Sequence, residues 1–333
     1  MILATDIDFD RDGKQVSAVR VPYTHIERGA TSLLVPIAVI RNGPGPTLLV
    51  TAGNHGDEYS GQVAAAGFVR SLEPEAIHGR VIVLPTLNLP AATSGRRASP
   101  LDGGNLNRLF PGDANGGPTS MIARFVDSDL LPRADLVIDL HDGGTVFDYV
   151  PCLFASDHPD TEVRQRTRAG LEAFGVRYGI LKPFRQEETT MLGSAARRGT
   201  PYLSTEIGGK GTVGKEMLAL AKSGVAALLA HLGILPSNTS PKLPAPRWLQ
   251  FRDGGLFPVA PEDGVFEARC NLGQDVLAGD LCGLIHVVEQ PGREPIEARF
   301  HDGGVVVGLR HIARVSAGDD LAHVAVDRPP LAA

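Results

Sequence analysis

The chain predicts an α/β fold, with a mixed, mostly parallel sheet and a smaller β-rich C-terminal domain. Three observations carry that expectation. Short runs at Pro46 to Thr51, Ala134 to Leu140 and Pro201 to Thr205 read as strands, the first of them buried. Segments of helical composition separate those runs. Beyond residue 236 the helical periodicity disappears, and short β-like runs alternate with glycine turns.

Residues 1–40 hold hydrophobic alternation around Val16 to Val21 and the run Ser32-Leu-Leu-Val-Pro-Ile-Ala-Val-Ile-Arg41, read as strands that lead into the sheet. Strands near 47–52 and 80–86 bracket a helix near 57–72, a βαβ unit for which a right-handed crossover is expected. Thr119 to Leu131 is expected to form a helix that packs on the sheet ahead of the strand ending at His141. Tyr149-Val-Pro-Cys-Leu-Phe-Ala155 reads as another strand, followed by a helix near 159–174. Lys215 to Leu232 has helical spacing, and Gly233 stands just past it, where a residue without Cβ commonly closes a helix.

Pro236-Ser-Asn-Thr-Ser-Pro-Lys-Leu-Pro-Ala-Pro246 is too rich in proline and small polar residues for a helix or a central strand. The expected division is therefore 1–235, a linker over 236–247, and a β-rich domain over 248–333. Within that domain Val276-Leu-Ala-Gly-Asp-Leu281 returns in similar form as Val315-Ser-Ala-Gly-Asp-Asp-Leu321, which suggests paired hairpins in a barrel-sandwich arrangement. No lysine stands near either repeat to carry a cofactor arm, so a lid or packing role is expected.

The composition suits a metabolic enzyme. A chain of 333 residues accommodates an α/β domain plus a smaller one, since single cores stop growing near roughly 250–300 residues. Apolar residues make up 43%, and no run approaches the roughly 20 residues needed to cross a bilayer. Met1-Ile-Leu-Ala-Thr-Asp-Ile-Asp8 lacks the basic and apolar regions of a secretory signal, so a cytoplasmic location is expected. A net charge of −6 without a long basic run lacks the footprint of a nucleic-acid binder. Cys152, Cys270 and Cys282 are odd in number and widely spaced, and read as reduced structural thiols.

The chemistry gathers at strand ends. Thr51-Ala-Gly-Asn-His-Gly-Asp-Glu-Tyr59 places His55 and Glu58 three residues apart where a strand should turn into a helix, a spacing that lets both reach one zinc ion. Alone, the pair is equally a surface histidine and a helix-start glutamate favoured by the helix dipole. His141 and Glu206, however, close two other predicted strands, each followed by glycines. In open α/β sheets ligands bind outside the carboxyl ends of the strands, so parallel strands would bring all four residues together. Two histidines and one carboxylate make an open zinc site, and Glu206 is then the spare carboxylate for general-base work.

His55-Gly-Asp-Glu58, Asn105-Leu-Asn-Arg-Leu-Phe-Pro-Gly112, Asp139-Leu-His-Asp-Gly-Gly144 and Thr205-Glu-Ile-Gly-Gly209 together resemble the succinylglutamate desuccinylase/aspartoacylase family of the zinc carboxypeptidase clan. The likeness runs from Asp8-Phe-Asp-Arg-Asp-Gly13 to the C-terminal region, and is greatest to the branch of Nα-acetyl-L-2,4-diaminobutyrate deacetylases of ectoine degradation. It implies a zinc carboxypeptidase-like sheet with helices on both faces and one zinc ion per chain held by His55, Glu58 and His141. It further implies Glu206 as general base, Asn107 and Arg108 as the clamp on a substrate carboxylate, and acetyl as the acyl group. One position departs from the pattern: Asp142 follows the third ligand where that branch typically has serine, adding an anion beside the metal.

Arg96, Arg97 and Arg108 share one glycine-rich stretch, of the kind that carries function on a rigid scaffold. Asn107-Arg108 offers an amide and a planar fork matched to a carboxylate. Arg97 either holds a developing oxyanion or is simply exposed. Asp57 and Asp139 either orient the ligands or serve as turn residues. The remaining histidines, His323 among them, belong to no ligand motif and read as ordinary surface or core residues.

The reading is metal-assisted hydrolysis of an N-acyl amino acid, a small-molecule partner, with neither nucleic acid nor membrane involved and a homo-oligomer left open. A metallocarboxypeptidase acting on short peptides and a non-catalytic zinc-dependent binding protein are the alternatives.

Overall fold

Strands without a polar face need cover on both sides. In the computed structural model, which describes residues 3–25, 27, 29–236, 245–252 and 254–329, the strands Thr47–Ala52 and Leu136–Leu140 are buried at every position. The first half of the chain supplies β1 (Ala4–Thr5), β2 (Gly13–His25), β3 (Gly29–Asn42), β4 (Thr47–Ala52), β5 (Gly79–Leu84), β6 (Leu136–Leu140) and β7 (Phe147–Asp157). The second half supplies β8 (Tyr178–Pro183), β9 (Tyr202–Gly209), β10 (Arg247–Gln250), β11 (Gly264–Ala268), β12 (Asp275–Val276), β13 (Leu281–His286), β14 (Ile296–Arg299), β15 (Gly304–Arg310), β16 (Arg314–Val315) and β17 (Ala322–Asp327). The helices are α1 (Tyr59–Ser71), α2 (Leu89–Ser94), α3 (Pro118–Phe125), α4 (Thr161–Phe174), α5 (Met191–Arg197) and α6 (Lys215–His231).

Thirteen strands form one mixed sheet in the order β1-β2-β3-β5-β4-β6-β9-β7-β8-β10-β17-β15-β12. Successive side chains on a strand point to opposite faces. Accordingly Leu48 and Val50 join Ala64, Ala65, Leu171, Phe174, Val225 and Leu228 of α1, α4 and α6, whereas Leu49 joins Ile122, Phe125, Met191 and Ala195 of α3 and α5 on the other side. Each fully buried leucine contributes roughly 1.5–3 kcal/mol. A charge anywhere in β4 would therefore be severely destabilising.

The C-terminal strands join this sheet directly. Arg247–Gln250 pairs in parallel with Tyr178–Leu181, β17 pairs with β10, β15 with β17, and β15 also pairs with β7. Strands β7, β8, β10, β17 and β15 thus close a ring around Cys152, Phe154, Tyr178, Ile180, Leu249, Val305, Val307 and Ala325. Val306, on the opposite face of β15, turns into a second core with Phe266 and Ile285 of the four-stranded sheet β14-β13-β11-β16. Of the expected linker over 236–247, residues 237–244 lie outside the described residues.

Some element boundaries differ from the sequence expectation for local reasons. Helix α1 starts at Tyr59, because Glu58 is extended (φ −101°, ψ 92°) and its side chain is used elsewhere. The helix expected over 119–131 is regular only to Phe125 and then widens over Val126–Leu130, just before Pro132, whose ring cannot continue a helix.

Candidate metal centre and cavity

Strands β4, β6 and β9 are adjacent and parallel, with Thr51 beside Asp139 and Asp139 beside Ser204. The residues that follow them therefore meet at one edge of the sheet. The loop after β4 passes so close to α2 that a Cβ on Gly56 would lie 2.0 Å from the Ala91 carbonyl carbon, an approach that only glycine permits. The Gly56 amide also donates to the Arg96 carbonyl at 3.0 Å, which ties this loop to the segment carrying Arg97.

His55, Glu58 and His141 are buried together. Glu58 spans the two rings, with Oε1 2.6 Å from His55 Nδ1 and Oε2 2.6 Å from His141 Nδ1. On their far sides the rings meet oxygens: His55 Nε2 is 3.2 Å from Asn105 Oδ1, and His141 Nε2 is 2.8 Å from Asp139 Oδ2. Asp139 is itself held by Thr51 Oγ1 at 2.7 Å, Asn54 Nδ2 at 3.1 Å and the Tyr202 hydroxyl at 2.9 Å. Donation from Nε2 to those oxygens places the lone pair on Nδ1, the arrangement that outer hydrogen bonds impose on metal-binding histidines. Two imidazole lone pairs and a carboxylate then converge within 4.8 Å of one another, which is repulsive unless a cation or protons lie among them. The donor set suits zinc.

Protonation is the other way to relieve that repulsion, and the electrostatics follow it. Burial opposes ionisation of Glu58, but the charges of His55 and His141 overcome it and hold the carboxyl far below its usual range. Burial likewise opposes charge on His141, whereas Asp139 and Glu58 push its pKa well up. Arg97 Nη1 reaches Glu58 Oε1 at 3.2 Å, with its side chain 51% exposed.

Glu206 is brought to the same place by β9. Its Oε2 is buried without a hydrogen-bond partner. Burial first, then the Glu58 charge, raises its pKa well above the ordinary carboxylate value, against His141 and Arg97. It is a carboxyl suited to holding and moving a proton. His55, His141 and Glu206 open on a cavity of about 760 Å³ that Arg97, Arg108 and Lys182 also line.

Asn107 and Arg108 both line that cavity, in distinct states. Asn107 Oδ1 accepts from the Met191 amide at 2.9 Å and so secures the start of α5. Arg108 is exposed and donates to the Asn107 carbonyl at 2.7 Å. Two further buried aspartates at these motifs, Asp142 and Asp57, accept from backbone amides. Asp142 accepts from the amides of Gly144 at 2.9 Å and Ser60 at 3.1 Å, satisfying one of the unpaired N–H groups at the start of α1. Burial, and then Glu58, raises its pKa to about 7. Asp57 accepts from the amide and hydroxyl of Thr145, each at 3.1 Å.

Sequence reasoning missed Asn105, Lys182, Tyr149 and His323. Lys182 is the lone charge at the end of the apolar run Tyr178-Gly-Ile-Leu-Lys182, so the rule that singled out the other strand ends applies to it as well. Its ammonium lies 5.1 Å from the Phe154 ring centroid. Burial lowers its pKa against the opposing charges of Glu188 and Glu206. Tyr149 and His323 carried no local signal, because only closure of the strand ring brings them to the cavity.

A buried pair of histidines and a glutamate, open to a cavity at the carboxyl ends of parallel strands, define an α/β protein with a candidate metal centre. Residues 44–232 match the succinylglutamate desuccinylase/aspartoacylase catalytic domain. The chain is 35% identical over 325 residues to N-alpha-acetyl-L-2,4-diaminobutyric acid deacetylase of Halomonas elongata, covering 97% of this chain and 94% of that one. A solved succinylglutamate desuccinylase/aspartoacylase of Rhodobacter sphaeroides is 38% identical over 99% of this chain and 100% of its own, with a TM-score of 0.91. The product-bound ectoine utilization protein EutE (DoeB) of Ruegeria pomeroyi is 34% identical over 97% and 98%, with a TM-score of 0.92. The chain belongs to the succinylglutamate desuccinylase/aspartoacylase family.

Proposed function

We propose that the protein is a zinc-dependent hydrolase that removes a short acyl group, acetyl foremost, from an N-acyl amino acid. Nα-acetyl-L-2,4-diaminobutyrate is the first substrate to test, supported by the named activity of the Halomonas elongata relative. The observation that carries the reading is the separation of roles: three buried donors suited to a cation, and Glu206 beside them with an unpartnered carboxyl oxygen.

His55, Glu58 and His141 would hold the zinc, with Asp139 and Asn105 fixing the two rings. Bound there, zinc supplies Lewis acidity that polarises an amide carbonyl and makes water easier to deprotonate. Glu206 accepts a proton from water and delivers it to the departing amine. Arg97, half exposed beside Glu58, would donate to the oxyanion that develops at the scissile carbonyl. Arg108, with Asn107 holding its loop to α5 and Lys182 adding a second cation, receives the substrate carboxylate. In this reading residues 1–235 carry the chemistry, and the β-rich residues 248–333 complete the cavity wall through Phe251 and Phe257.

The test is to assay purified protein against a panel of N-acetyl amino acids and against short peptides, before and after chelation and zinc restoration. Hydrolysis of N-acetyl amino acids that is lost on chelation and restored by zinc is expected. Cleavage of peptides alone, or activity indifferent to chelation, would contradict the proposal.

A further inference from the structure

We infer that the Tyr149 hydroxyl oxygen accepts a hydrogen bond from the N–H of the scissile amide, with His323 as the positioning residue that takes the tyrosine's own proton; this rests on the acyl-amino-acid reading above. Tyr149 follows the third proposed ligand on β7, where the pairing with β9 shifts register between Tyr149 and Cys152. Such irregularities re-aim side chains. Tyr149, Glu206, Arg97 and His323 all line both the main cavity and a second one of about 580 Å³, so they stand where the two adjoin.

The direction of the tyrosine's hydrogen bond follows from what surrounds His323. Its ring is stacked on Phe147, with centroids 4.5 Å apart and planes at 15°, and meets Phe257 at 4.6 Å, which restricts its rotation. Nδ1 lies 2.5 Å from the Tyr149 hydroxyl, and Nε2 lies 3.6 Å from Asp320 Oδ2. The second separation is too long for a hydrogen bond. The carboxylate charge nevertheless favours the proton on Nε2, so we assign Nδ1 as the acceptor of the phenol proton. A phenol has one proton. Once it is donated to His323, the cavity meets only oxygen lone pairs.

Those lone pairs complement the rest of the cavity. Arg97, Arg108 and Lys182 offer donors for the oxygens of a substrate, while Tyr149 offers an acceptor beside the proton carrier Glu206. In an N-acyl amino acid the donor next to the scissile bond is the amide N–H. As the C–N bond breaks and nitrogen takes the proton from Glu206, its N–H groups become stronger donors, so the contact strengthens toward the transition state and acts on kcat. The C-terminal strand β17, which carries His323, thereby contributes to reading the amide.

The test compares an N-acetyl amino acid with the O-acetyl ester of the matching 2-hydroxy acid, which keeps the carboxylate and acetyl group but has no N–H. Tyr149→Phe should lower the ratio of amide to ester kcat/KM about 10-fold, the scale of one hydrogen bond. The fall should lie mainly in kcat for the amide, and ester turnover should serve as the internal check on folding. His323→Ala should lower the ratio similarly, whereas His323→Gln, whose carboxamide oxygen still accepts the phenol proton, should restore most of it. An unchanged ratio in Tyr149→Phe, whatever the absolute loss, would overturn the inference. Wild type inactive on both substrates would instead overturn the functional reading on which it stands.

Discussion

The two ends of the cavity are built by opposite rules. At the inner end His55, Glu58 and His141 are 3%, 2% and 4% exposed, and each ring nitrogen faces a named oxygen. At the outer end Arg108 is exposed and Lys182 half-buried, and the wall is drawn from β7, β8, the residues Phe251 and Phe257 that follow β10, and the loops at 105–112 and 183–190. Groups that must converge on one cation need positions fixed by burial and supporting hydrogen bonds. Groups that recognise a substrate need only reach it. Sequence change at the outer end should therefore retune which amino acid binds without disturbing the chemistry.

The largest expected effect breaks the inner end. Glu58→Ala leaves two buried imidazoles with no carboxylate between them, so the protein should lose both its metal and its activity. Metal analysis on folded protein checks this; a variant that retains stoichiometric zinc would show that the inner end is less interdependent than its geometry implies.

A smaller effect belongs to the outer end. Arg108→Met should cost about 1.5–3 kcal/mol in kcat/KM, the range for hydrogen bonds to charged groups, and leave metal content intact. Lysine should rescue only part of the loss, having the charge without the planar fork. Comparing an N-acetyl amino acid with its carboxamide isolates the contact. Wild type should prefer the acid, and Arg108→Met should lose most of that preference. Equal preference in both proteins would move carboxylate recognition to Lys182 or another group.

The smallest effect concerns the support behind the outer end. Asp127 receives Arg198 Nε at 3.0 Å and the Ser194 hydroxyl, and so clamps α5, whose first amide holds Asn107. Burial opposes ionisation of Asp127, but hydrogen bonds from Arg198 and Ser194 outweigh it and lower its pKa. A carboxylate with a lowered folded-state pKa contributes stability that is present above its unfolded value, about 3.9, and is lost as pH falls through the folded one. Asp127→Asn should thus lower the melting temperature at pH 7, and the gap to wild type should narrow below about pH 4. A constant gap across that range would remove the ion pair as its cause.

The same contrast explains what was legible in the sequence. The inner end was readable because local patterns specify it: apolar runs name the strands, and each strand end carries its own acid–base residue. The central α/β order of β4, α1, β5, β6 and β9 follows from those patterns. The outer end was readable only in part: Arg108 stands in a motif and Lys182 at a strand end, but Tyr149 and His323 meet through pairings between strands far apart in the chain, and hydrophobic periodicity does not encode which strands pair. The attachment of β10 to β8 and of β15 to β7 was hidden for the same reason. Asn107 shows a subtler limit. Besides lining the cavity, it has a task its motif did not show: its side-chain oxygen holds the Met191 amide.

The central claim is that cation binding and proton transfer reside in different carboxylates, Glu58 and Glu206. It is tested most directly by measuring zinc content and turnover of Glu206→Gln side by side, with an N-acetyl amino acid that wild type hydrolyses. The account predicts about one zinc per chain and turnover reduced by roughly 10² to 10⁴, the usual size of a general acid–base contribution. An emptied site, or turnover equal to wild type, would contradict it.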